Sequence, residues 1–147
     1  MKFSNDFDII SGAKINLKII VKNQGNIDEL PYYYYDIYLA DGNIQIGKIS
    51  IRIGHNYHSY FNGNIGYEIN KEFRGNNFAF QAMSLIINVA KHHQMTYLIL
   101  TCEEMNIPSY KSIEKLGAEL IEIKLPPKDY IFYSSQMEAH RIYRLSI

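Results

Sequence analysis

The hydrophobic pattern of this chain changes its period near residue 77, and that change limits the folds the sequence can adopt. Before this point apolar residues alternate with polar ones, as in β-strands that have one buried face. Over residues 77–92 they recur at helical spacing, which predicts an amphipathic helix. Residues 97–102 then form a continuous apolar run, typical of a strand buried on both faces. The pattern therefore predicts an α+β domain.

Further strands are predicted before the long helix and after the buried strand. They cover residues 14–21, 33–40, 44–53, 66–69, 119–125 and 141–145. Asp41-Gly42-Asn43 is a strong hairpin turn, and a shorter helix begins at Asn106 and ends before Gly117. The last two strands are expected to pair antiparallel. The strand at 66–69, the long helix and the strand at 97–102 should form a right-handed parallel unit. The expected sheet is mixed and mostly antiparallel, with one parallel pair and flanking helices.

Length and charge exclude several classes of protein. With 147 residues and no repeats or linkers, the chain is expected to form one domain over residues 1–147. Fifteen basic residues balance fifteen acidic ones, so no global field attracts nucleic acid or a membrane surface. Cys102 is the only cysteine, which excludes an internal disulfide and fits a reducing compartment. No apolar run has the length of a signal peptide or a membrane span, so the cytoplasm is the expected location.

The junction between the strand at 66–69 and the long helix carries the first candidate site. Backbone N–H groups at the positive end of a helix dipole form a natural cradle for phosphate. Arg74 adds a positive charge there, while Gly75 and Ala79 keep side chains out of the way. An ordinary structural turn is the alternative interpretation of this junction.

A second segment lies one strand further on, where Thr101-Cys102 is followed by an acidic pair, Asn106 and Ser109. Together with residues 65–69 and 74–79, this segment closely resembles the GNAT superfamily of N-acetyltransferases, and most of all its bacterial members. The resemblance covers roughly residues 36–147 in order and spacing. It implies a GNAT-like sheet and acetyl-coenzyme A as cosubstrate, with no metal.

In this family, a six-residue loop that begins with Arg or Gln wraps the pyrophosphate of coenzyme A, and Arg74 and Ala79 match its first and last positions. The resemblance also implies that the backbone of Glu68 and Ile69 runs along the pantetheine arm and polarises the thioester carbonyl. Asn106 would hydrogen-bond the same arm, and Ser109 would lie nearby on the same helix. The implied coenzyme-binding residues are Glu68, Ile69, Arg74, Gly75, Asn76, Asn77, Phe78, Ala79, Asn106 and Ser109.

The sequence departs from the family pattern in three places. Asn77 replaces the usual glycine at the fourth loop position, and Asn is the residue next most tolerant of positive φ. Ile113 takes the position of a family tyrosine that protonates the departing thiolate, and Tyr110, about one helical turn away, is the candidate substitute. Only residues 23–31 separate two strands between which the family usually has two helices. The acceptor pocket is therefore expected to be shortened or built differently.

Acyl transfer to an amine needs a base and hydrogen bonds for the developing oxyanion. Glu68 is the candidate base, and its alternative interpretation is a strand residue that faces solvent. The predicted function is transfer of an acetyl group from acetyl-coenzyme A to a primary amine of a small molecule or a protein, with a homodimer as a candidate state. The alternative function is a catalytically silent acyl-coenzyme A binding module. A phosphate-loop nucleotide-binding domain ranks third, because the Gly-Lys-Ser/Thr ending is missing.

Overall fold

The computed structural model describes residues 1–147 and contains eight β-strands, three α-helices and one 3-10 turn at Lys71–Phe73. The strands are β1 (Ile9–Ser11), β2 (Ile15–Asn23), β3 (Tyr32–Leu39), β4 (Gln45–Arg52), β5 (Ile65–Ile69), β6 (Tyr97–Glu103), β7 (Glu119–Lys124) and β8 (His140–Ser146). The α-helices are α1 (Ser59–Asn62), α2 (Phe78–His92) and α3 (Ile107–Lys115). None of the helices is both long enough and apolar enough to cross a membrane. The predicted α+β class is confirmed, and β1 and α1 are additional elements.

Strands β1 to β5 form an antiparallel sheet in chain order, and the predicted hairpin joins β3 to β4. Alternate side chains of this sheet point towards α2 and form the core with it. Ile49 and Ile51 of β4 are buried there together with Met83 and Ile86 of α2. Burial of one such side chain stabilises a fold by about 1.5–3 kcal/mol. The contact between sheet and helix is therefore a main source of stability.

The side chains of the first sheet that point away from α2 form what we call the open face. It consists of Tyr32, Tyr34, Asp36, Lys48, Ser50, Arg52, Gly66 and Glu68, which face one another across β3, β4 and β5. Residues 23–31, which lead into this face, contain no helix, as their shortness predicts. The open face consequently has no helical cover of the kind expected in the family.

Strands β6, β8 and β7 form a second antiparallel sheet with β8 in the middle. The predicted antiparallel pairing of β7 with β8 is confirmed. The predicted parallel pair is not confirmed, because β5 and β6 belong to different sheets and share no ladder. Two antiparallel sheets thus replace the single mixed sheet, and the chain passes from one to the other through α2.

The side chain of Asn64 links the two sheets where they touch. Asn64 is fully buried, and its Nδ2 donates to the carbonyl oxygens of Arg52 at 3.0 Å and Gly54 at 2.8 Å. Its Oδ1 accepts from the Ile99 N–H at 2.8 Å, and its own backbone N–H donates to the Ile99 oxygen at 2.6 Å. Asn64 therefore ties the end of β4 to the middle of β6. The chain enters β5 directly after this link, and β5 and β6 belong to separate sheets beyond it.

Two buried tyrosines of β3 hold the amino-terminal segment against the core. The Tyr35 hydroxyl donates to the Phe7 oxygen at 2.7 Å. The Tyr33 hydroxyl accepts from the Ser4 N–H at 2.8 Å and hydrogen-bonds Nε2 of His93, also at 2.8 Å. Burial raises the pKa of the Tyr35 phenol, which stays protonated and continues to donate. Residues before β1 are thus tied to the end of α2.

Candidate active site

A cavity of about 620 Å³ opens where β5 and β6 diverge, and we call it the interstrand groove. Its walls are β5, the loop that follows, the start of α2 and the first turns of α3. The lining residues are Tyr67, Glu68, Ile69, Phe73, Arg74, Gly75, Asn77, Phe78, Ala79, Asn106, Pro108, Ser109 and Ser112. Of the ten residues that the sequence predicts for coenzyme binding, only Asn76 is outside this lining. The structure therefore brings the two sequence segments together in one place.

The loop before α2 contains two residues in the left-handed region of backbone space. Gly75 has φ 84°, and Asn77 has φ 66° and ψ 17°. This conformation costs most L-residues about 1–2 kcal/mol, and Asn tolerates it better than most. Asn77 can therefore keep the turn that a glycine makes at the same position of the family pattern.

This backbone leaves six consecutive N–H groups without a hydrogen-bond partner in the chain. They belong to Gly75, Asn76, Asn77, Phe78, Ala79 and Phe80. They lie at the N-terminus of the 15-residue helix α2, where the helix dipole is positive. A group with several anionic oxygens, such as a phosphate, has the charge and the acceptors that these donors need.

Side chains of the loop hold this arrangement in place. Nε of Arg74 donates to the Ile69 oxygen at 2.9 Å, which fixes the arginine at the end of β5. The Asn76 side chain turns back and donates to the Phe73 oxygen at 3.1 Å. Arg74 therefore adds its positive charge beside the free N–H groups, whereas the side chain of Asn76 stabilises the turn.

Strand β5 is an edge strand that pairs only with β4. Its second edge faces the interstrand groove and offers unpaired backbone groups, which can bind an extended polar chain as another strand would. Glu68 lies on this strand, lines the groove and is exposed, and its carboxylate has no hydrogen-bond partner in the chain. It is free to accept a proton from a group that approaches β5.

The opposite wall of the groove begins with Asn106, the N-cap of α3, whose side chain accepts from the Ser109 N–H at 3.4 Å. The Tyr67 hydroxyl donates to Oγ of Ser109 at 2.9 Å, across the groove from β5 to α3. Burial raises the pKa of this phenol, so it stays protonated at neutral pH. The sequence alone indicates no chemical role for Tyr67, because a tyrosine in a strand is usually a packing residue. Only its contact with Ser109 sets it apart.

The other candidate groups lie away from the groove. The ring of Tyr110 lies under the guanidinium of Arg141, 4.2 Å from its centroid, and Tyr110 is not a lining residue. Ile113 is only 2% exposed and belongs to the core. Burial raises the pKa of the Cys102 thiol to about 11, which keeps it protonated and fits a packing role. Tyr67 is thus the only tyrosine that lines the groove.

Comparison with solved structures finds the same fold in several acetyltransferases. A proposed ribosomal-protein-serine acetyltransferase from Vibrio cholerae has a TM-score of 0.67 at 15% identity, covering 95% of this chain and 97% of its own. RimL, a ribosomal L7/L12 alpha-N-protein acetyltransferase, has a TM-score of 0.67 at 14% identity, covering 95% and 94%. The microcin C7 self-immunity acetyltransferase MccE, solved with acetyl-coenzyme A and AMP, has a TM-score of 0.59 at 17% identity, covering 79% of this chain and 61% of its own.

Sequence comparison identifies the family directly. No protein of curated function matches the sequence. A family model described as an acetyltransferase (GNAT) domain matches residues 13–119, which include β2 to β6, α2 and α3. Because this match covers most of the 147 residues, the chain belongs to the GNAT family of acetyltransferases.

Proposed function

We propose that this protein transfers an acetyl group from acetyl-coenzyme A to an amine. The observation that carries the proposal is the run of six free N–H groups from Gly75 to Phe80, next to the charge of Arg74 and the free edge of β5. These donors would hold the pyrophosphate of coenzyme A. The pantetheine arm would lie between β5 and α3, beside Asn106 and Ser109. The GNAT family match supports this assignment, as does the shared fold of MccE.

In this reaction the amine nitrogen attacks the thioester carbonyl carbon, so a C–N bond forms and the C–S bond breaks. Glu68 would take the proton that the amine loses, because its carboxylate is unpaired and lines the groove. The Tyr67 hydroxyl, which donates to Oγ of Ser109 in the structure, would turn its single proton towards the departing sulfur and accept a hydrogen bond from the Ser109 hydroxyl instead. Backbone N–H groups on the free edge of β5 would stabilise the developing oxyanion. Acetylated amine and free coenzyme A are the products.

Coenzyme binding is tested by thermal unfolding. Coenzyme A at about 100 times its Kd should stabilise the protein by about 2.7 kcal/mol, whereas ATP and NAD should not shift the melting temperature. Asn77→Gly should keep the shift, because glycine adopts the same φ. Asn77→Val should lose most of it, because a β-branched residue resists φ 66° and displaces the N–H donors. A shift with ATP but none with coenzyme A would overturn the proposal.

The proton donor is tested by two tyrosine substitutions. Tyr67→Phe should lower kcat about tenfold with little change in coenzyme A affinity, since a thiolate leaves readily and needs only modest assistance. Tyr110→Phe is the matched control and should retain the parental kcat, because its ring lies outside the groove. Release of free thiol in the presence of an accepted amine measures both. A loss of rate with Tyr110→Phe alone would assign the donor to Tyr110 instead.

A silent acyl-coenzyme A binding module is the second candidate, favoured by the buried, apolar Ile113 at the position of the family's acid. A broad amine panel that gives no thiol release, together with tight coenzyme A binding, would establish it.

RimL and the Vibrio cholerae protein carry names that refer to ribosomal proteins, which supports a protein amine as one class of acceptor. Other expectations from the sequence stay predictions: the cytoplasmic location, the single domain, the homodimer and the lack of a metal or nucleic-acid partner.

A further inference from the structure

The register of the first sheet arranges the open face in three rows across the strands, and the first row ends at the candidate base, Glu68. Asp36 lies opposite Lys48, and Lys48 lies opposite Glu68. In the next row Tyr34, Ser50 and Gly66 face one another, and in the third Tyr32 faces Arg52. Two positive side chains, Lys48 and Arg52, therefore stand on either side of Ser50. Both project from the strand that pairs with β5.

A second cavity of about 410 Å³ lies over these rows. We call it the tyrosine cavity, and its lining residues are Val21, Glu29, Leu30, Tyr32, Tyr34, Ser50 and Arg52. It shares no lining residue with the interstrand groove. The Arg52 side chain nevertheless extends from this cavity to β5, because its Nη1 lies 4.0 Å from the point where a Cβ on Gly66 would be. A molecule bound to Arg52 would therefore lie next to β5, on the face that carries Glu68 two residues further on.

Arg52 is the unusual residue of this cavity, because it is largely buried and has no ion pair. Nη1 donates to the Gly63 oxygen at 3.2 Å, and no carboxylate oxygen lies within 4.0 Å of the guanidinium. Glu29 acts on it only at longer range, and burial lowers the pKa of the guanidinium without discharging it. A buried positive charge is costly unless an anion compensates it. The chain supplies no such anion at contact distance.

We infer that the tyrosine cavity binds the acceptor and that Arg52 selects amines that carry a carboxylate or phosphate group. The planar guanidinium matches either group in a two-pronged hydrogen bond. Lys48 lies on the same face, four residues before Arg52 on β4 and outside the cavity lining, and Glu29 is the acidic residue of the lining. The amino group of the ligand would therefore lie towards Glu29 or Glu68, and its anionic group at Arg52. The rings of Tyr32 and Tyr34 offer flat walls for the apolar part of the ligand. This inference rests on the proposed acetyl transfer, in which the amine end would lie near Glu68.

The test uses pairs of amines that differ in one anionic group. β-Alanine is compared with β-alaninamide, and O-phosphoethanolamine with ethanolamine. A third pair represents an acceptor that is the N-terminus of a protein. It consists of two short peptide amides, one with glutamate and the other with glutamine after the N-terminal residue. At least one pair should show a kcat/KM ratio of about tenfold or more in favour of the anion. Arg52→Gln should bring that ratio close to one, and Arg52→Lys should keep part of it. The two amines of a pair also differ in basicity, but this difference is the same for every variant. The change in the kcat/KM ratio between the parent and a variant therefore reports on Arg52 alone.

Binding is measured separately by calorimetry on protein saturated with coenzyme A, so the result does not depend on turnover. The stabilisation by coenzyme A shows that each variant is folded. Equal affinity for both members of every pair, or a preference that survives Arg52→Gln, would overturn the inference. If the anionic amine binds in an Arg52-dependent way and no acetyl group is transferred, the ligand class stands and the proposed reaction fails. If amines are acetylated and the anion preference is unchanged by Arg52 substitution, the proposed reaction stands and the inferred preference for anionic amines is wrong.

Discussion

Glu68→Gln is expected to lower kcat by two to four orders of magnitude, which corresponds to about 3–5 kcal/mol of barrier. Glutamine keeps the shape and polarity of the side chain but cannot take the proton that the amine loses. Affinity for coenzyme A should change little, because in the proposed complex β5 would bind the pantetheine arm through backbone groups. The measurement is thiol release at saturating acetyl-coenzyme A, with an amine that the parent protein accepts.

Glu72→Gln is the matched control for this substitution. Glu72 is an exposed carboxylate in the turn between β5 and α2, four residues from Glu68, and it does not line the interstrand groove. It should leave kcat and coenzyme A affinity at the parental values. Equal rates for Glu68→Gln and Glu72→Gln would show that another group or solvent accepts the proton, while acetyl transfer itself would stand.

Asn64→Ala is expected to reduce the free energy of unfolding by about 4 kcal/mol, which would be a large part of the stability of a domain this size. The change removes three side-chain hydrogen bonds, to the Arg52 and Gly54 carbonyls and the Ile99 N–H. It leaves these backbone groups unsatisfied in a place without solvent access. Urea titration followed by circular dichroism gives the free energy.

Asn88→Ala serves as the control, because Asn88 is an exposed residue of α2 whose side chain bonds only the Leu85 oxygen at 3.2 Å. It should change the free energy of unfolding by less than about 0.5 kcal/mol. Asn64→Asp should also be destabilising, since a carboxylate cannot donate to the two carbonyls and would be charged in a buried site. A loss below about 1 kcal/mol for Asn64→Ala would mean that packing, and not this amide, holds the two sheets together at this point.

Local patterns in the sequence were sufficient to predict most elements of the fold. The helical spacing of Met83, Ile86 and their neighbours predicts α2, and Asp41-Gly42-Asn43 predicts the β3–β4 hairpin. The division into two sheets could not be predicted, because hydrophobic spacing indicates a strand but not its partners. The link between the sheets could not be predicted either, since it depends on a buried side chain, Asn64, that bonds to residues 10 to 35 positions away. Nothing in the neighbouring sequence distinguishes Asn64 from the other asparagines of its loop.

The candidate site shows the same division between local and distant information. The loop from Arg74 to Ala79 is contiguous, so its positive φ values and free N–H groups follow from a short motif. The contact of Tyr67 with Ser109 joins residues 42 positions apart, and the position of Arg52 next to Gly66 depends on strand register. Such contacts become visible only when the sheets are assembled.

The anchoring of the amino-terminal segment by Tyr33 and Tyr35 has a consequence for truncated forms of the protein. Residues before β1 have no regular structure and would look dispensable in a truncation series. A chain cut after Phe7 would leave the buried Tyr35 phenol without its acceptor, and Tyr33 would lose the Ser4 N–H that donates to it. Tyr33 also holds His93, which ends the helix whose first turn presents the free N–H groups. Trimming the amino terminus is therefore expected to lower the stability of the packing between β3 and the C-terminal end of α2, although the removed residues belong to no helix or strand.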